Sequence, residues 1–452
     1  MPDWLSTSSS AGFDCTVNRG TIRCSDSESG HQLIISAEDI LCILPADGKQ
    51  TQNSLLFLRK AHGKSELDTT QQIERIPLKS VPKTLPPELL LADIPKHLSA
   101  KLHIIVSTAS GTGAAKSLFD QLKQLLAHIG LLNYEVHETQ STQTVNELSH
   151  LLFIPQAEAG IHQTIILLSG DGGLCDIINA FYNTSRNIRT KPNIALIPAG
   201  TGNAMASSTG LLANHNAALT TLLRGRSLPV PAFAATFSPG AVDTQGDEGR
   251  YFVTSENGRL KVYGGVVASW GLHAALVADS DTVEYRKFGA DRFKMVAQEL
   301  LFPSNGSATH RYNGVITMTK VDDQGDVEPG RILESNEHMY VLATLVSNLE
   351  KDFRISPKSI PMDGSMRLVR FGSMPSERAV QLLSAAYQNG QHVWEDEVLY
   401  AEIEAFRIDF LEVDEKWRRV CIDGRVVVVG EGGWMEVRKE KMSLLNILLP
   451  EV

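Results

Sequence analysis

Residues 164–183, TIILLSGDGGLCDIINAFYN, join a short apolar run to a helix-periodic run through a glycine turn that carries one acid, Asp171. The branched, continuous residues 164–168 suit a strand buried on both faces of a parallel sheet. Leu174, Ile177, Ile178 and Phe181 recur at i, i+3, i+4 and i+7, the period of an amphipathic helix. Ser169-Gly-Asp-Gly-Gly173 therefore sits where a strand passes into a helix N-terminus, whose free N–H groups and dipole attract phosphate. A carboxylate at that point would repel a phosphate unless a cation or a proton-transfer role separates the two.

The remainder of the chain bounds the possibilities. Its 452 residues suffice for two or three domains, and 42% hydrophobic with 21% charged residues is an ordinary globular composition. A formal charge of −10 argues against a nucleic-acid partner and against general attraction to anionic lipid. No apolar run approaches the roughly 18 residues of a spanning helix, and the first residues lack the basic and apolar regions of a signal peptide. The expectation is a cytoplasmic protein. The cysteines (Cys15, Cys24, Cys42, Cys175, Cys421) form no CxxC pair and suggest neither a disulfide framework nor a zinc site.

Taken in order, residues 1–30 are Ser- and Gly-rich and read as mobile. Residues 31–75 hold short apolar runs separated by polar turns, a small β-rich module, and residues 76–101 are a proline-bearing linker. From Leu102 strand and helix alternate: a strand at 102–106, a helix with Leu118, Leu122, Leu125, Leu126 and Ile129 on one face, a strand at 133–137 and a helix at 142–153. The opening stretch follows, then a strand at 193–197. This predicts an α/β fold, a parallel-sheet domain spanning 102–225 whose ligands bind at the carboxyl ends of the strands, where the loops 107–113, 169–173 and 198–204 converge. Residues 226–445 read as a mainly β, sandwich-like second domain with helices near 288–302 and 376–388, and the cleft between the domains as the active site.

Two glycine loops carry the chemistry. Ser169-Gly-Asp-Gly172 and Gly200-Thr-Gly-Asn203 each follow a buried strand, whereas Ser110-Gly-Thr-Gly113 alone is a weak dinucleotide signal and no Walker A loop occurs.

This pair resembles the lipid-kinase superfamily of diacylglycerol kinases and sphingosine kinases, with its G-D-G turn and downstream G-[TS]-G-N loop. The similarity to sphingosine kinases extends into the second domain, where Ser269-Trp-Gly271 and Glu284-Tyr-Arg-Lys-Phe-Gly-Ala-Asp-Arg-Phe293 resemble that family's W-G and Y-R-R-x-G-x-x-R-F segments. Agreement runs from about 102 to 437. The resemblance implies ATP-dependent phosphorylation of the primary hydroxyl of a sphingoid long-chain base, with Asp171 as catalytic base. It implies ATP and Mg²⁺ as cofactors. Nucleotide contacts would come from Ser107, Thr108, Ala109, Thr139, Ser169, Gly170, Gly172, Gly200, Thr201, Gly202, Asn203, Asp423 and Gly424, with Arg286 and Arg292 on phosphate. Asp176 matches a nucleotide-site Glu and is the candidate magnesium ligand. Ser169 and Asp279 are the candidate substrate contacts, Asp279 for an amino-alcohol head group. A lipid substrate implies peripheral membrane contact; oligomeric state stays open.

The chain departs from the family at two places. Ser107-Thr-Ala-Ser-Gly-Thr-Gly113 keeps the glycines of N-P-x-x-G-x-G but not the Asn or Pro, and the family's C-terminal D-G-E reads Asp423-Gly-Arg425. Arg425 replaces an acid with a cation able to pair a phosphate. The alternatives are a diacylglycerol or other lipid-alcohol kinase and a catalytically degenerate lipid- or nucleotide-binding protein. An Asp of ordinary pKa near 4 is also a poor base for a free alcohol.

Overall fold

The computed structural model describes residues 12–18, 20–26, 28–46, 51–60, 71–108, 111, 113–184, 187–200, 202–244, 259–289, 291–321 and 327–451, with the side chains of Lys60, Val283 and Arg286 outside that description. The buried run of the opening stretch is a strand, Gln163–Ser169, and the helix-periodic run is the helix Asp171–Thr184, whose inward face is Leu174, Ile177, Ile178 and Phe181. The strand lies inside a six-stranded sheet. Its order is Arg226–Pro229, Asn446–Leu449, Asn193–Pro198, Gln163–Ser169, Lys101–Val106, Glu135–Glu138. All neighbours are parallel except Arg226–Pro229, which runs antiparallel to Asn446–Leu449.

From Lys101–Val106 the chain adds Glu135–Glu138 on one side and then Gln163–Ser169 on the other. The loops leaving Val106 and Ser169 therefore flank the point where the winding reverses, the usual ligand crevice of such sheets. The helix expected at 142–153 is longer and interrupted: Thr144–Leu148 and Ile154–Glu158 are α-helical, and Ser149–Phe153 between them is a π turn.

The second domain is the β-rich, sandwich-like unit that the sequence implies. Its strands form one continuous antiparallel sheet of thirteen strands, curled around a core that includes Phe233, Trp270, Phe406 and Ile408. The domain is an insertion. Asn446–Leu449 returns to the first sheet, an outcome missed by a reading that ended the second domain at 445, although residues 444–449 are a visible apolar run.

Two expectations about the N-terminal region are corrected. Residues 1–11 lie outside the described residues, but Asp14–Asn18 and Thr21–Ser25, within the stretch expected to be mobile, are paired strands. Cys15 and Cys24 face each other across that pair and are joined by a disulfide, where no disulfide was expected. Adjacent positions on neighbouring antiparallel strands bring two Cβ atoms close whatever the sequence spacing, so a CxxC search does not find them.

Two three-stranded sheets make up this module. The module is fixed to the α/β domain: Leu41, Cys42, Leu56 and Leu58 share a core with Leu122, Leu125 and Leu222, and Arg224 donates to the Leu41 carbonyl at 2.9 Å. Among the described residues no helix is long and apolar enough to cross a membrane.

Candidate active site

The three loops meet. Ser107 N–H donates to Leu168 O, and Ala199 N–H to Ser169 O, both at 3.0 Å. Gly111 has φ +58, and a Cβ there would lie 2.3 Å from Ala199 O; a Cβ on Gly200 would lie 2.5 Å from Gly170 Cα. Glycine is thus required by contact between loops, not by turn geometry alone. Asn203 closes the third loop on itself, donating from Nδ2 to Gly200 O at 2.9 Å and accepting from Gly200 N–H at 3.3 Å. By contrast, Cβ atoms at Gly172 and Gly202 would meet nothing within 4 Å. These two glycines border open space beside a helix N-terminus, which fits an approaching phosphate.

Thr139 joins the same face: its N–H donates to Val106 O at 3.0 Å and its carbonyl accepts from Thr108 Oγ1 at 3.4 Å. Ala109 and Thr201 lie outside the described residues.

Asp171 is the first residue of its helix, and its carboxylate accepts from Ala204 N–H at 2.5 Å and Met205 N–H at 3.1 Å. The acid of the second loop therefore caps the helix that follows the third. Burial pushes the Asp171 carboxyl up to about 7, the two N–H donors oppose this, and the charge of Asp423 adds to it. An Asp near 4, as the sequence alone suggested, becomes a group able to accept a proton near neutrality.

Asp423 and Gly424 form the turn between the strands Arg419–Ile422 and Arg425–Val428, both with positive φ (50° and 87°). Asp423 accepts from the N–H groups of Gly265, Val266 and Val267 at 2.6, 3.0 and 2.6 Å, and the thiol of Cys175 also donates to it. Burial raises its pKa as well. The turn is thereby fastened to the Asp171–Thr184 helix, and the Asn179 carboxamide of that helix accepts from Tyr263 N–H at 2.9 Å.

Arg425 lies in the same region. Its guanidinium donates to Asp243 Oδ2 at 2.7 Å and to Asp176 Oδ1 at 3.4 Å. The sequence anticipated a cation available to a phosphate; the structure instead sets it between two carboxylates, so the group carries a net single negative charge when both acids are ionised. Burial raises the Asp176 carboxyl to about 6, against the pull of Arg425. Asp243 was not singled out from sequence, and nothing in its local sequence marks it.

The remaining candidates lie in the second domain. Asp279 accepts from Arg419 at 2.7 Å and lines a cavity of about 650 Å³ with Leu272, Val296, Leu300, Tyr312, Met339 and Trp417. That volume is in the range of small-molecule pockets. The lining residues come from the second domain, so this cavity lies within it and not in the interdomain cleft where the sequence placed the site. Trp270 is fully buried, donates to Trp417 O at 2.8 Å and packs edge-on to Tyr312, making it core directly behind the cavity wall. Arg292 opens the helix Asp291–Leu301, 4.0 Å from Asp281 and over the Phe293 ring, a setting that does not join it to the glycine loops. Arg286 ends the short helix Val283–Arg286.

Residues 101–235 match the diacylglycerol kinase catalytic domain. Sphingosine kinase 2 of Arabidopsis thaliana is 24% identical over 222 residues, 48% of this chain and 39% of that protein. Sphingosine kinase B of Dictyostelium discoideum is 30% identical over 135 residues, 29% of this chain and 16% of that protein. The chain thus spans less than half the length of either relative. A crystal structure of a candidate diacylglycerol kinase of Bacillus anthracis str. Sterne shares the fold with a TM-score of 0.51 at 14% identity, over 78% of this chain and 97% of that one.

Proposed function

We propose that this chain is a sphingosine kinase-like member of the diacylglycerol kinase catalytic superfamily and that it transfers the γ-phosphoryl group of ATP to the primary hydroxyl of a sphingoid base. The observation that carries this reading is Asp171: a carboxylate held by two N–H donors, with its pKa raised to about 7, beside glycines that border open space. The alcohol oxygen attacks the γ-phosphorus, the bond to the β,γ-bridging oxygen breaks, and ADP leaves. The alcohol proton passes to Asp171 as the bond forms, when that proton is most acidic.

The backbone around Gly170, Gly172, Gly200, Gly202 and Asn203 supplies donors to the phosphates. Ser107, Thr108 and Thr139 shape the adjoining wall, and Ala109, Thr201, Arg286 and Arg292 keep the nucleotide roles that the family resemblance gives them. Asp176, whose Oδ1 is bonded by Arg425, is the residue that would hold magnesium, which would supply positive charge to offset that of the phosphates. Asp423 and Gly424 likewise keep the nucleotide role that the family resemblance gives them.

Asp279 and Ser169 are the substrate contacts in this reading, with the hydrocarbon chain in the second-domain cavity. One observation favours a second substrate class. Arg419 already neutralises Asp279, so an ammonium head group would share that carboxylate, whereas an uncharged lipid alcohol such as diacylglycerol would not need it. Peripheral contact with a membrane in the cytoplasm follows from either substrate.

The test is incubation of the purified chain with labelled ATP and sphingosine, diacylglycerol or NAD, beside Asp171→Asn. Transfer to sphingosine that Asp171→Asn abolishes is expected. No labelled product on any acceptor overturns the kinase reading, and product that survives the substitution removes Asp171 as the base.

A further inference from the structure

On the far edge of the parallel sheet, away from the glycine turns, three ligand-type side chains converge. His103 and Glu135 are directly opposed in the register between Lys101–Val106 and Glu135–Glu138, and His137, two residues on, projects from the same face as Glu135. His103 Nδ1 lies 3.2 Å from Glu135 Oε2 and 3.4 Å from His137 Nε2, and the third edge, His137 Nε2 to Glu135 Oε2, is 4.0 Å. Ligands of a tetrahedral ion at about 2.0–2.1 Å are spaced about 3.3 Å apart. Two edges already match, and the third closes by a small rotation of the partly exposed His137 ring.

A second observation fixes which nitrogen faces the centre. His103 is fully buried, and its Nε2 lies 3.0 Å from the side-chain oxygen of buried Gln156. An amide oxygen only accepts, so Nε2 carries the proton and Nδ1 presents its lone pair to Glu135 and His137. This is the outer hydrogen bond that orients a metal-ligating histidine. The Phe153 ring packs 5.2 Å from His103 and 6.3 Å from His137, fixing both rings from one side.

With no cation the arrangement is poor: a lone pair and a carboxylate oxygen, both acceptors, face each other at 3.2 Å, and the single proton on His137 Nε2 can serve only one of them. Lys101 bonds the other oxygen of Glu135, Oε1, at 3.1 Å, leaving Oε2 for an ion.

We propose that His103, Glu135 and His137 bind one divalent cation of the zinc type, monodentate at Glu135 Oε2, with a fourth position open to water on the exposed side. The ion would staple a four-residue edge strand to its neighbour. That edge strand leads into Thr139, and Thr139 O receives Thr108 Oγ1, so the staple braces the first nucleotide loop without entering it. The cysteines play no part, which is why a search of cysteine spacing does not reveal the site; an isolated His followed later by Glu-x-His carries its meaning only through strand register.

The experiment uses the full chain, stripped with a chelator, titrated with Zn²⁺ against a chromophoric competitor, and separately loaded with Co²⁺ for its tetrahedral absorption. One equivalent is expected to bind, with affinity falling at least about 10- to 100-fold in His137→Ala and in Glu135→Gln, and by about 10-fold in Gln156→Ala. Zn²⁺ should raise the melting midpoint of the parent chain and not of His137→Ala. Since His103 is a core residue, His137→Ala is the decisive variant: its ring is partly exposed and the fold should survive its loss. Absence of saturable Zn²⁺ binding overturns the proposal, as does equal affinity in the parent, His137→Ala and Glu135→Gln chains, which would place the ion elsewhere. These readouts do not depend on kinase activity, so failure here and failure of the kinase reading are separate results.

Discussion

Two Asp-Gly turns meet at the first turns of the Asp171–Thr184 helix and use the same device to different ends. In one, Asp171 accepts two N–H groups and sits beside open space. In the other, Asp423 accepts three N–H groups and a thiol. Both carboxyls are raised in pKa by burial. The difference lies in what remains unspent: Asp171 accepts from two donors, whereas Asp423 accepts from four, three of them N–H groups of its own domain and the fourth the Cys175 thiol of the helix. Motif alone does not separate a reactive acid from a structural one; the count of donors does.

The largest effect should come from breaking the reactive side. Asp171→Asn is expected to lower turnover about 10²- to 10⁴-fold, measured as labelled phosphate transfer, with the larger effect on turnover and the smaller on unfolding. Asp423→Ala should do the reverse. It leaves three buried N–H groups unpaired and should cost roughly 3 kcal/mol or more of stability, read by denaturant unfolding. Comparable losses of turnover with full stability in both variants would erase the distinction.

A pH profile sharpens the comparison. The base form of Asp171 fills as pH rises through about 7, so kcat/KM should climb across that range. Replacing Asp423 with Asn removes a like charge and should move the climb to lower pH. Stability follows the opposite course. A carboxyl whose folded pKa is raised contributes stability that is fully present below its unfolded value near 4 and is lost as pH rises through the folded value near 7. Asp171→Asn should flatten that part of the stability curve, a difference visible in paired thermal melts.

Smaller effects are expected around the rim. Arg425→Glu sets a third acid against Asp176 and Asp243 and should shift the Mg²⁺ dependence of turnover several-fold; an unchanged titration removes Arg425 from the nucleotide side. Gly111→Ala, at φ +58 and with its Cβ 2.3 Å from Ala199 O, should force the first and third loops apart, raising the KM for ATP and lowering the melting midpoint.

The alternation of strands and helices from Leu102 was legible because buried strands and amphipathic helices impose different periods on the same apolar residues. The convergence of the three glycine loops was legible too, since parallel topology sends all of them to one edge. The Arg425–Asp243–Asp176 arrangement was not. It joins residues from three distant parts of the chain, and only the register of the Arg425–Val428 and Val242–Asp243 strands brings them together. Cys15 and Cys24 escaped notice for the same reason: pairing across strands leaves no fixed spacing. The raised pKa of Asp171 depends on burial and on Asp423, neither of which has a local signature.

The return of Asn446–Leu449 to the first sheet has a mechanical consequence. The second domain is tethered by two chain crossings, and these are bonded to each other: Val230 N–H donates to Leu445 O at 2.9 Å, and Glu440 N–H to Ala232 O at 2.8 Å. The crossings are continuous with a core shared by both domains, in which Ile177 and Ile178 pack with Val230, Tyr263, Val266 and Leu445, so the domains are held together by packing as well as by the chain.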